Sequence, residues 1–203
     1  MKKNWSLLVD RWETVTPKGW TVAHEAAALG HLPADFDEWE LKTPEGWTVA
    51  HEAARWGHLP ADFDQWELKT PDGWTIAHEA VRWGNLPADF DHDQWKVADS
   101  SGWTVAHVAA MVGRLPRGFD RWELATPRGW TVAHEAARWG HLPADFNLWR
   151  LKNCDGVTVA HVAAEYGHLP ASLEGLDFGV DCQGRSVADC LEQYREKTQP
   201  KKR

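Results

Sequence analysis

The sequence predicts an all-α solenoid of helix-turn-helix units, each with one full helix, a very short second helix and a turn-tipped finger. Two observations carry this expectation. A tract close to Gly-Trp-Thr-Val-Ala-His-Glu-Ala-Ala begins at Gly19, Gly46, Gly73, Gly102, Gly129 and Gly156, at spacings of 27, 27, 29, 27 and 27 residues, with a weaker copy at Gly184. A fixed period of this size marks an array whose units bury their apolar faces only against their neighbours. Within each unit, an alanine-rich run bounded by a threonine and a glycine is followed by a proline and a cluster of large aromatic residues.

The unit from Gly46 to Asp72 shows the logic. Thr43-Pro44-Glu45-Gly46 has the composition of a tight turn, with Pro presetting φ and Gly accepting a positive one. Thr48 is placed to cap the next helix, and Glu52 falls in its first turns. Val49, Ala50, Ala53 and Ala54 give that helix a side of small methyl groups, which lets neighbouring helices approach closely. Gly57 is placed to end it. Pro60 then suits a first helical position, and Leu59, Phe63, Trp66 and Leu68 form the buried stripe of one or two turns.

The run Thr48-Val49-Ala50-His51-Glu52-Ala53-Ala54-Arg55-Trp56-Gly57-His58 resembles the ankyrin-repeat signature T-P-L-H-x-A-A-x-x-G-H. Thr48, His51, Ala53, Ala54, Gly57 and His58 match it, and Val49-Ala50 replace Pro-Leu. The resemblance runs from about Gly19 to Asp189. The unit is shorter than the family's usual length of about 33 residues, and the shortfall lies between Gly57 and Gly73. The resemblance implies a right-handed stack with a concave face, and histidines that tie each finger to its neighbour. The acidic residue at 25, 52, 79 and 135 stands where the family usually has an apolar one. We expect the shortened second helix to leave that carboxylate uncovered.

Residues 1–18 are expected to form an N-terminal capping half repeat, because Trp5 to Trp12 aligns with Leu59 to Trp66. Residues 19–183 form six repeats. Residues 184–196 form a C-terminal capping repeat in which Asp189 replaces the histidine, and 197–203 form a basic disordered tail. Atypical end units are what a solenoid needs to close its core.

The chain carries a net charge of −8, and with basic residues gathered at both ends the body between them is more acidic still. Such a body repels phosphate backbones, which argues against nucleic-acid binding. Mean hydropathy is −0.54 and no aliphatic run is long enough for a membrane span or a signal peptide. Cys154, Cys182 and Cys190 form no CxxC pair, and their odd number fits a reducing, cytoplasmic interior.

The sequence carries no catalytic constellation and implies no cofactor or metal. His-Glu pairs recur, but no second His follows four residues on, and adjacent helical residues diverge. Serines lack a recurring base, and no glycine-rich phosphate loop is present. Binding of another protein is the function expected, with roles as inhibitor, immunity protein or scaffold all open. The candidate residues form three sets: Trp20, Trp47, Trp74, Trp103 and Trp130 after the turn glycine; Trp56, Trp83 and Trp139 before the helix-ending glycine; and Arg55, Arg82 and Arg138 beside the latter. Trp and Arg are the residues most enriched in binding hot spots. By the ankyrin resemblance these positions lie on the concave, partner-facing side. Two alternatives stay open: a spacer or self-associating solenoid whose tryptophans stack on one another, and a metal-binding or pH-responsive histidine ladder. The chain is expected to be monomeric unless the aromatic surface pairs with itself.

Overall fold

A computed structural model of the chain describes residues 11–16 and 19–198. Of the expected N-terminal half repeat, residues 1–10, 17 and 18 lie outside the described part, as do 199–203 of the tail. The chain divides into two compact units, Met1–Ser101 and Gly102–Arg203, the division falling at the repeat that follows the 29-residue spacing.

The described residues form seven α-helices and no sheet. In the first unit these are α1 (Val22–Leu29), α2 (Val49–Trp56) and α3 (Ile76–Trp83); in the second, α4 (Val105–Val112), α5 (Val132–Trp139), α6 (Val159–Glu165) and α7 (Val187–Thr198). Successive helices pack side by side within each unit. Their contact sides are alanines such as Ala50, Ala53 and Ala54, or Ala133, Ala136 and Ala137, all completely buried. Methyl-only sides permit that close approach and leave no room for larger groups.

The helices α1 to α6 each start at the threonine expected. The Thr48 side chain accepts the His51 backbone N–H at 3.2 Å, and His51 Nδ1 accepts the Thr48 backbone N–H at 3.3 Å. This reciprocal capping satisfies two of the donors that a helix start leaves over. Gly57, at φ 74°, ends α2 in the left-handed conformation that other residues enter at a cost. Between helices, the Gly46 N–H donates to Thr43 O, the Thr43 N–H to Trp47 O, and Lys42 bridges Thr48, which makes the finger.

The second half of the repeat is reduced to single turns. Phe63 N–H bonds back to Pro60 O and Leu68 N–H to Gln65 O, while His92–Lys96 and Ala171–Leu173 are 3₁₀ helices. Ten residues interrupted by proline are too few to nucleate and extend an α-helix, so aromatic packing holds the segment instead. In the first unit, Trp12, Phe36, Trp39, Phe63, Trp66, Phe90 and Trp95 contact one another in sequence, edge to face, with centroids 4.9 to 5.6 Å apart. The second unit repeats this with Phe119, Trp122, Phe146 and Trp149. Edge-to-face pairs contribute about 0.5–1.5 kcal/mol each beyond burial. The two extra residues after Phe90 are taken up by the 3₁₀ turn at His92–Lys96, which keeps Trp95 on the ladder.

At the C-terminal end, α7 continues past the position where earlier helices meet a glycine, through Lys197 and Thr198. Its Tyr194 ring lies directly over Gly167, where a Cβ would clash with it.

Candidate protein-binding face

The histidine ladder is structural in its bonding. His51 Nε2 lies 3.0 Å from Trp74 O, and its Nδ1 lies 2.7 Å from the Thr48 hydroxyl. A carbonyl can only accept, so Nε2 carries the proton and Nδ1 accepts from the hydroxyl. The same bonds join His24 to Trp47 O, His107 to Trp130 O, His134 to Val157 O and His161 to Arg185 O, each at 3.0 Å. Each of these histidines therefore ties its helix to the finger of the following repeat. Burial holds the pKa of His51 and His134 down at about 4, and shifts His24 and His161 in the same direction. Among the described residues, no three His, Cys, Asp or Glu side chains converge as a metal site would need.

Residues following the helix-ending glycine reach back to the previous helix. His58 Nδ1 donates to Ala27 O at 2.8 Å, and His141 Nδ1 to Ala110 O at 2.8 Å. Asn85 replaces histidine and donates to both Ala54 O and Arg55 O. Either side chain supplies the donor that a helix C-terminus lacks.

The acidic position overturns the expectation made for it. Glu52, Glu79 and Glu135 are 3%, 4% and 1% exposed, and only Glu25 is half-buried. Each buried carboxylate accepts two indole N–H groups. Glu52 takes Trp47 Nε1–H on Oε2 at 3.1 Å and Trp56 Nε1–H on Oε1 at 2.6 Å. Glu79 takes Trp74 and Trp83 at 3.0 and 2.7 Å, and Glu135 takes Trp130 and Trp139 at 2.9 and 2.7 Å. The indoles cover the site that the missing helix would have left open. Charge-assisted bonds on both oxygens make the burial of a carboxylate tolerable.

This clamp joins two of the three candidate sets. The finger tryptophans also lie against the ladder as tilted ring pairs: Trp20 with His24, Trp47 with His51, Trp74 with His78, Trp103 with His107 and Trp130 with His134, with centroids 4.7 to 5.7 Å apart. They are half-buried, whereas Trp56, Trp83 and Trp139 are 54%, 46% and 48% exposed. The arginines complete the connection. The Arg55 guanidinium lies 5.8 Å from the Trp56 ring and 5.1 Å from that of Trp83 in the next repeat. Arg138 lies likewise between Trp139 and Tyr166, at 5.8 and 5.3 Å.

In the first unit Trp47, Arg55, Trp74, Arg82 and Trp83 line one open cleft of about 550 Å³, together with Glu45, Thr70, Asp72 and Glu79. Trp56 adjoins it through Arg55. Trp20 is not part of its lining. In the second unit Trp130, Arg138 and Trp139 are linked through Glu135 and Tyr166, and Trp103 stands at the equivalent place on its own repeat.

Sequence reasoning missed the three glutamates. A signal for them was present, because Glu52, Glu79 and Glu135 occur in the repeats that carry the Arg-Trp pair. Where the glutamate is Val108 or Val162, the pair is Met111-Val112 or Glu165-Tyr166.

No helix among the described residues is long and apolar enough to cross a membrane. No protein-family model matches the chain, and no curated protein matches it. Among solved structures, the ankyrin repeat domain of Bcl-3, a member of the IkappaB protein family, superposes with a TM-score of 0.58 at 18% identity. That match covers 86% of this chain and 99% of the Bcl-3 domain. The ankyrin-repeat fold is generally a protein-interaction module and typically non-enzymatic. Capped alanine-rich helices, finger turns and a histidine ladder, together with this superposition, identify the chain as having the ankyrin-repeat fold, in a shortened form with aromatic rows in place of second helices.

Proposed function

We propose that this protein is a non-enzymatic binder of another protein through the Trp/Arg surface that each unit carries: Trp47, Arg55, Trp56, Trp74, Arg82 and Trp83 in the first, extended by Trp20, and Trp130, Arg138 and Trp139 in the second, extended by Trp103. One observation carries the reading: large exposed indoles are held in fixed orientation by buried carboxylates. Exposed tryptophan immobilised in advance loses little conformational entropy on binding, which is the property of a hot spot. The acidic body argues against nucleic acid as the partner, and we place the protein in the cytoplasm on its cysteine usage. Such a binder acts by occluding its partner or by joining two.

The test is a pull-down from the native cell's lysate, comparing wild type with the Arg55→Ala, Arg82→Ala, Arg138→Ala triple variant. A protein retained by wild type and lost by a variant of unchanged circular dichroism supports the reading. Equal retention by both moves the site elsewhere.

The placement of Arg55 and Arg138 between rings of successive repeats favours a second reading, a spacer in which the guanidinium is inter-repeat packing. On that reading the triple variant unfolds more easily, and wild type and variant retain the same proteins or none.

A further inference from the structure

We propose that the occupant of the first-unit cleft is a protein segment that presents an acidic side chain to Arg55 and Arg82; this rests on the protein-binding reading above. The two arginines line the same cleft, yet among the described residues neither meets a carboxylate of the protein itself. The acids beside them are already engaged. Glu52 and Glu79 hold indole N–H groups, and Asp72 accepts the Thr70 hydroxyl, which keeps its pKa below the usual carboxylate range.

Arg55 is further constrained. Trp56 and Trp83 bracket its guanidinium, so its polar contacts must come through the edge of the group. Its Nε lies buried without a hydrogen-bond partner among the described residues, so an arriving acceptor meets the Nη groups. A guanidinium edge is a planar fork of N–H donors, and the acceptor that matches it with two parallel bonds is a carboxylate. Glu45 and Asp72 on the rim repel a polyanion such as a nucleic-acid strand. They tolerate a single carboxylate on a peptide, whose neighbouring apolar residues rest against Trp47, Trp74 and Trp83. The occupant is therefore a segment with an Asp or Glu flanked by apolar side chains.

The test selects phage-displayed random dodecapeptides on the full-length chain, then measures synthetic, C-terminally amidated versions by fluorescence anisotropy. Selected peptides are expected to share an Asp or Glu beside an apolar residue. Replacing that acid by its amide, or Arg55→Lys in the protein, should each weaken binding by about 10-fold, and the two changes together little more, because they remove the same forked pair. Arg55→Lys keeps the charge, and circular dichroism confirms that the variant is folded. Peptides lost by the triple arginine-to-alanine variant but lacking an acid, or indifferent to Arg55→Lys, would overturn the carboxylate inference and leave the binding face intact. Peptides that bind all variants alike would sink both. Binding that needs a free C-terminal carboxylate, or equal binding of a labelled single-stranded oligonucleotide lost in the same variants, would also overturn it.

Discussion

The carboxylate of Glu52 accepts the indole N–H of Trp56, one helical turn later, at 2.6 Å. With Trp47 on its other oxygen, the glutamate links finger and helix of one repeat, and the same arrangement recurs at Glu79 and Glu135. The link has two consequences: it fixes exposed aromatic surface, and it makes three residues depend on one another.

That dependence is measurable at Glu135. Removing the carboxylate breaks two bonds to a charged acceptor, each contributing about 1.5–3 kcal/mol, and relief of the carboxylate's desolvation offsets part of that loss. Glu135→Val alone should cost about 2–4 kcal/mol in urea unfolding. Adding Trp139→Val copies the Val108 and Val112 combination of the fourth repeat, and the double variant should recover about 1–2 kcal/mol of the loss expected from additivity. Strict additivity of the two changes would show that the bond to Trp139 contributes nothing.

Acid should weaken the fold through the ladder. His51 and His134 are neutral in the folded chain, with pKa held at about 4 by burial, against about 6.5 when unfolded. The unfolded chain binds the extra protons, so stability is full above pH 6.5 and falls as pH drops toward 4, by about 3 kcal/mol per histidine at the acid end. Imidazole proton shifts followed by NMR should show no titration of these two rings between pH 8 and 6. A midpoint near 6.5 for either would remove the argument.

The bond from Asn85 to the previous helix predicts a graded series. Asn85→Ala removes the donor to Ala54 O and Arg55 O and should cost about 1–2 kcal/mol. Asn85→His, which installs the donor seen at His58, should lie within about 0.5 kcal/mol of wild type. Thermal melts distinguish the two, and an equal loss in both would mean that Asn85 acts by shape alone.

The last repeat depends on a different cap. Asp189 Oδ2 accepts the Ser186 backbone N–H at 2.7 Å, and Ser186 Oγ accepts the Asp189 N–H at 3.2 Å. Asp189→Ala should lower the denaturation midpoint of the chain by removing this cap. Earlier histidines use one nitrogen for this cap and the other for the next finger; aspartate supplies the first of these bonds.

Much of the unit was legible along the chain. Thr48, the alanine side and Gly57 mark the start, packing side and end of α2 by local chemistry alone, and His51 turned out to reach the next finger as its repeat signature implied. The second half was less legible, since Pro60, Phe63 and Trp66 suit a short helix and a pair of turns equally well. The choice between them depended on whether edge-to-face contacts with Trp39 and Phe90 in adjacent repeats outweighed a few backbone bonds.

The sequence by itself determined the period, the caps, the helix lengths and the candidate tryptophans and arginines, because each rests on backbone conformation or on spacing within one repeat. The tertiary structure decided which of those side chains meet. Glu52 read as an exposed acid until two indoles from different parts of its repeat closed over it. Arg55 read as a partner-facing residue beside Trp56, and folding brought the Trp83 ring of the next repeat against it as well. A charged group's cost or benefit is set by what excludes water from it, and that is a property of neighbours brought together by folding.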